Sequence, residues 1–153
     1  MDLDTRIENA TKEDIPALVR LLDELFSIEQ DFQPNQERQI AGLQLILDSG
    51  KTAVIKVAKN INDEVIGMVS GQLVISTSQG SPSVWVEDMI VNQQYRAQGV
   101  GRLLLEAVLA WAKQQGATRA QLLVDLDNDP ALGYYDHLGW QSSRMGMRRL
   151  MLV

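Results

Sequence analysis

The chain has 153 residues, 45% of them hydrophobic, a formal net charge of −6, no cysteine and one histidine. That length suits one domain, residues 1–153, with a sizeable core; the lack of cysteine excludes disulfides, thiol catalysis and Cys-ligated zinc, and a lone His137 excludes a multi-histidine metal site. The acidic balance argues against a nucleic-acid partner, no apolar run approaches the ~20 residues of a membrane span, and an acidic start without the regions of a signal peptide makes the cytoplasm the expected location.

Arg6–Asn9 reads as a short strand. Thr11 is a natural N-cap, followed by the acidic Glu13 and Asp14. Ile15, Leu18, Leu22, Leu25 and Phe26 then recur at helical spacing, with Pro16 in the tolerant first turn. A polar break over 30–35 precedes a second helix, Gln36–Leu47, with Ile40, Leu43 and Leu47 on one stripe and Gly50 beyond its end. Residues 52–58 and 65–75 read as strands joined by a turn over 60–64; Gly67 and Gly71 weaken the second and suggest a bulge. After a loop at 79–83 comes a strand at 84–91. A helix at 99–115 follows, turning Leu103, Leu104, Ala107, Val108 and Trp111 inward and ending at Gly116. A strand at 119–124, a short helix at 130–138 stopped by Gly139, and closing strands at 140–144 and 146–152 complete the chain. Arg144, Arg148 and Arg149 then fit a solvated edge strand, since neighbours in a strand face opposite ways. The order β-α-α-β-β-β-α-β-α-β-β gives an α/β (α+β) domain with helices on both faces of a mixed sheet.

The loop between the fourth strand and its helix carries Arg96, Ala97, Gln98, Gly99, Val100 and Gly101. Glycines let backbone N–H groups converge, and a helix start adds free N–H groups and positive dipole. That combination suits a phosphate or pyrophosphate. It is no Walker loop, because no lysine follows the second glycine. It is no dinucleotide fingerprint either, because Leu104 stands where the third glycine belongs. Taken alone, the loop also fits a plain strand-to-helix turn.

A second constellation lies at 128–140: Asn128, Ala131, Tyr134, Tyr135, Gly139 and Trp140, spaced N-x-x-A-x-x-[aromatic]-Y-x-x-x-G-[aromatic]. With R-x-x-G-x-G after a strand, it resembles the paired motifs of the GNAT superfamily of N-acetyltransferases. The resemblance implies the GNAT fold, a mostly antiparallel mixed sheet of six or seven strands. It also implies acetyl-CoA as co-substrate, with no metal. Backbone N–H groups of Ala97, Gln98, Gly99, Val100, Gly101 and Arg102 would take the pyrophosphate, with Arg96 and Arg102 adding charge. The pantetheine arm would run beside Met89, Ile90 and Val91, lined further by Asn128 and Ala131, although Asn128 also fits a helix N-cap.

The same resemblance gives Tyr135 a place near the thioester sulfur, where a phenol can hydrogen-bond a departing thiolate; a satisfied core tyrosine is the plainer alternative. The run Val86-Glu87-Asp88-Met89-Ile90-Val91 is similar to that of diamine acetyltransferases, in which the matching glutamate helps deprotonate the amine. Strand alternation puts Glu87 on one face with Trp85, Met89 and Val91, and Asp88 on the other. An ion pair with an arginine would also explain Glu87. Glu29 and Asp31 sit where many GNAT enzymes gate the acceptor, and Trp85 and Phe32 could line its pocket or simply pack in the core. His137 is expected to face solvent. The implied reaction is direct transfer, in a ternary complex, to a small-molecule amine. The alternatives are a protein amine, a silent CoA-binding regulatory module, or aminoacyl-tRNA, against which the acidic composition speaks. A homodimer fits the habit of the family.

Overall fold

The computed structural model describes residues 4–29 and 33–153. Contacts divide the chain into a unit ending at Leu123 and a second unit, Val124–Val153.

The first unit contains, in order, β1 (Arg6–Asn9), α1 (Ile15–Ile28), α2 (Gln36–Leu47), β2 (Ala53–Lys59), β3 (Val65–Ser76), β4 (Ser81–Val91), α3 (Val100–Gln114) and β5 (Arg119–Leu122). The strands form one sheet in the order β1-β2-β3-β4-β5. Every pairing is antiparallel except β4–β5. The hairpin between β3 and β4 runs to Ser76 opposite Ser81, so the residues expected to loop at 81–83 are in the strand. Gly80, at φ 66°, makes the turn.

Helices cover both faces. On one, Leu18, Leu22 and Leu25 of α1 and Leu43 of α2 pack with Ile55, Val57, Met68 and Ile90. On the other, α3 comes so close that a Cβ on Gly71 would lie 2.7 Å from Val108 Cγ2, and one on Gly67 3.0 Å from Leu104 Cδ1. The two glycines therefore make room for a helix, and the bulge they suggested is there: Ala58 pairs with Gly67 but Lys59 with Val65, so β3 spends one residue more than β2 beside Gly67. A second bulge lies in the neighbouring strand. Met68 pairs with Ile90 but Ser70 with Glu87, so β4 spends one residue more than β3 across this step. Asp88, at φ 53°, is the left-handed residue of the bulge. The buried Ser70 hydroxyl donates to the Glu87 carbonyl at 3.1 Å, satisfying an acceptor beside the bulge.

The second unit holds α4 (Asp129–His137), capped at its start by the Asn128 side chain and ended by Gly139 at φ 92°. The expected closing strands at 140–144 and 146–152 do not form: the described residues give five strands, not six or seven. Trp140 is the only apolar residue in 140–144, and the Met145 N–H turns back to Ser143 Oγ at 3.0 Å, a local bond that competes with a ladder. The edge-strand account of Arg144, Arg148 and Arg149 falls with those strands.

Candidate active site

Two features of the first unit suit an extended, phosphate-bearing ligand. The parallel ladder ends at Val86 opposite Leu122, so Glu87–Val91, including Met89, Ile90 and Val91, has a strand partner on the β3 side alone among the described residues. An unpaired strand edge offers N–H and C=O groups to a ligand with amides of its own. Directly after it, Asn92 caps a short turn at Gln93–Tyr95, and the chain passes Ala97 at φ 61° and Gly99 at φ 85° before α3 begins.

The two left-handed residues tilt successive N–H groups toward a common side, as an anion nest requires. No side chain caps α3, as none caps α1, whereas Asn35 caps α2 and Asn128 caps α4. The first intrahelical acceptor bond is Leu103 N–H to Gly99 O, at 3.2 Å, which leaves the N–H groups of Val100, Gly101 and Arg102 outside the helix ladder. Nothing lies within 4 Å of the position a Cβ would take on Gly99. The backbone at Ala97, Gln98, Gly99, Val100, Gly101 and Arg102 thus fits a diphosphate.

The arginines of the loop and of α3 also make contacts within the chain. Arg96 turns back from the loop: its Nε donates to the Val91 carbonyl at 2.8 Å and its Nη2 to Glu24 of α1 at 2.7 Å. Glu24 also accepts from Gln93 N–H at 3.2 Å. Arg96 therefore pins the loop to the end of β4 and to α1. Arg102 pairs with Glu106 one turn on, with both side chains well exposed. Gln98 donates to the Gln94 carbonyl at 3.3 Å.

The bulge rewrites the expected faces of β4. Val84 packs beside Gly71 with Val108 and Trp111, and Val91 beside Gly67 with Leu104. Both valines therefore face α3 although seven residues apart, an odd spacing that strict alternation forbids. Glu87 is exposed. Asp88 instead lines a cavity of about 320 Å³ with Leu22 and Phe26 of α1, Arg38, Gln39, Leu43 and Ile46 of α2, and neighbours. Burial, then the charges of Glu87 and Glu29, push the Asp88 carboxyl up to about 6. Asp88 makes no hydrogen bond or ion pair among the described residues. The sequence undervalued it because nothing local announced the bulge. Trp85 and Glu29 do not line this cavity. Asp31 and Phe32 lie outside the described residues.

In the second unit, Tyr135 is half-buried, its ring edge-on to Tyr134 at 5.5 Å and to Trp140 at 5.9 Å. Asn128 Oδ1 accepts from Ala131 N–H at 3.2 Å, the capping role its sequence suggested. His137 is exposed. Among the described residues no group of three or more His, Cys, Asp or Glu could hold a metal ion, and no helix is long and apolar enough to cross a membrane.

Residues 15–140 match the model of a family described as acetyltransferase (GNAT). No curated protein matches. Among solved structures, a possible acetyltransferase from Clostridium difficile 630 superposes with a TM-score of 0.85 at 15% identity, covering 97% of this chain and 98% of its own. A putative acetyl transferase from Pyrococcus furiosus gives 0.77 at 25% identity, covering 96% and 99%. AAC(6')-Iy, solved with the bisubstrate analogue CoA-S-monomethyl-acetylneamine, gives 0.80 at 18% identity, covering 96% and 98%.

Proposed function

The chain belongs to the acetyltransferase (GNAT) family, which uses acetyl-CoA, and on that premise we propose that it acetylates the amine of a small molecule by direct attack within a ternary complex. The observation that carries this reading is the uncapped start of α3 behind Ala97 and Gly99, next to the one-sided edge of β4. A chain that needed only a turn here would have gained about 1 kcal/mol from a side-chain cap.

When bound, acetyl-CoA supplies the activated acyl group. In this reading N–H groups from Ala97 to Arg102 hold its diphosphate, and Met89, Ile90 and Val91 hold its amide arm. Arg96 acts by fixing the loop. Asn128 caps α4, with Ala131 beside it, so that Tyr135 is presented at a fixed angle. The Tyr135 hydroxyl donates a hydrogen bond to the departing sulfur. A phenol near pKa ~10 is a weaker acid than a thiol near ~8.5, so stabilisation outweighs full proton transfer. The amine reaches the site as an ammonium and must lose a proton before it can attack. Glu87, exposed beside Asp88, passes that proton to solvent. Glu29 and Asp31 draw the cation toward the gap between α1 and α2, with Trp85 beside β5.

Calorimetry with acetyl-CoA, followed by an assay of free CoA over a panel of amines, tests the reading. Micromolar binding with amine-dependent thiol release is expected. A folded protein that takes up no acetyl-CoA ends it.

A further inference from the structure

The cavity between α1 and α2 joins three kinds of surface. Its walls are mainly apolar, from Leu22, Phe26, Leu43 and Ile46. One side carries the carboxylate of Asp88, which has no partner among the described residues. Arg38, exposed and in none of the ion pairs of the described residues, also lines it. Gln39, although on the lining, is committed: it accepts from Asn35 N–H at 2.7 Å and donates to Asp23 Oδ1 at 3.0 Å and to the Val19 carbonyl at 3.4 Å.

Asp88 is held there at a cost. A non-glycine residue in the left-handed region stores of order 1–3 kcal/mol of strain, and a half-buried carboxylate without a partner adds a desolvation penalty. The charges of Glu87 and Glu29 repel it. A cation from outside the chain would relieve all of the electrostatic part. Arg38 restricts which cation: a second ammonium in the cavity would meet its positive charge, whereas an acid group would be welcomed. At about 320 Å³ the space is at the small end for ligand sites.

We propose that the acetyl acceptor is a small apolar amino acid, its ammonium on Asp88, its carboxylate on Arg38 and its side chain against Leu22, Phe26, Leu43 and Ile46. This rests on the transferase reading and deepens it by naming the acceptor class. It departs from the diamine that the β4 sequence resembled, because a diamine leaves Arg38 facing a like charge. Asp88 binds the ammonium, and Glu87, one residue away at the surface, carries the released proton outward. The N–C bond forms as the C–S bond breaks, and CoA leaves as thiol.

The test uses the whole chain with acetyl-CoA and five acceptors: leucine, phenylalanine, their amides, and spermidine. The amino acids are expected to give the highest kcat/KM and spermidine the lowest. Arg38→Gln should lower the ratio of acid to amide kcat/KM about tenfold, the scale of one charge-assisted contact. Asp88→Asn should cut kcat/KM for every acceptor at least thirtyfold, as loss of a desolvated charge pair does, with acetyl-CoA affinity within about twofold of wild type. Asn is nearly isosteric and tolerates positive φ, so unfolding would not mimic the result. Spermidine as best acceptor, or Asp88→Asn with unchanged kcat/KM, would overturn this inference and leave the transferase standing. Absence of acetyl-CoA binding would remove both.

Discussion

At the scale of single residues, the position of Asp88 has a consequence for stability. Its carboxyl sits at about 6 in the fold against an ordinary value of 3.8, burial contributing first and the charges of Glu87 and Glu29 next; Arg38 faces the same cavity from α2. The folded state thus holds this proton more tightly than the unfolded chain does. The contribution to stability is intact below about 4 and lost as pH rises through about 6. Asp88→Asn should therefore be more stable than wild type at pH 7.5, by up to roughly 2–3 kcal/mol at ~1.4 kcal/mol per pKa unit, and the gain should vanish near pH 4. Urea unfolding of both proteins at the two pH values reads the difference directly, and an equal gap at both would contradict it. If the Tyr135 hydroxyl acts on the leaving group, as proposed, Tyr135→Phe should lower kcat at least tenfold while the calorimetric affinity for acetyl-CoA stays put. Arg96 separates two roles. If it works through Glu24 and the Val91 carbonyl, Glu24→Gln should weaken acetyl-CoA binding in the same direction as Arg96→Ala, with little dependence on salt. A strongly salt-dependent loss confined to Arg96→Ala would mean direct contact with phosphate.

Among elements, what the sequence made legible depended on whether one period governed the segment. Two helix starts were plain: Thr11, the expected cap, donates its N–H to Asp14 Oδ2 at 2.9 Å just before α1, and α2 matches its expected bounds. Inside the helices the stripe was read less well. Ile40 is exposed and Gln39 buried, because an amide that ties α2 to α1 through two hydrogen bonds, and accepts a third from Asn35 N–H, outweighs an apolar match to the period. On α3, Leu105 and Ala112 are buried in place of Leu103 and Ala107, which are half-buried. The β4 bulge was invisible for a related reason: alternation assumes two residues per step, and the pairing that breaks it belongs to β3. The glycines have a different cause, the close approach of α3. A methyl on Gly71 would sit 2.7 Å from Val108 Cγ2, at the stiff end of a β-branched side chain. Gly71→Ala should destabilise by about 1–3 kcal/mol through overpacking. Combined with Val108→Ala, it should cost less than the sum of the two changes taken singly. Chemical denaturation of the four proteins in the cycle gives the coupling, and strict additivity would show that α3 does not press on β3 there.

For the molecule as a whole, the loop and the 128–140 constellation carried the family, while the acceptor side was out of reach of sequence. The diphosphate cradle is built from consecutive backbone groups, so its signature is a short string. The acceptor cavity draws Leu22, Arg38 and Asp88 from three elements, and no spacing rule joins them. That asymmetry bears on the order of events. The chain contains no cysteine to carry an acyl group. A buried carboxylate is also a poor carrier when its task is to hold a cation. On the proposed reading, both substrates are present together before the acetyl group moves. Initial velocities measured against acceptor at several fixed acetyl-CoA concentrations should give reciprocal plots that intersect. Parallel lines are the mark of a covalent relay and would contradict direct transfer. Because α1 is tied through Glu24 to Arg96 and so to the proposed cofactor loop, while Leu22 and Phe26 of that same helix line the proposed acceptor cavity, the two candidate sites share a mechanical element. Saturating acetyl-CoA should therefore tighten acceptor binding, and by linkage the acceptor should tighten acetyl-CoA equally. Calorimetric titration of leucine into the protein with and without the non-reactive product CoA measures that coupling. Equal affinities in the two titrations would show that the helix transmits nothing between the sites.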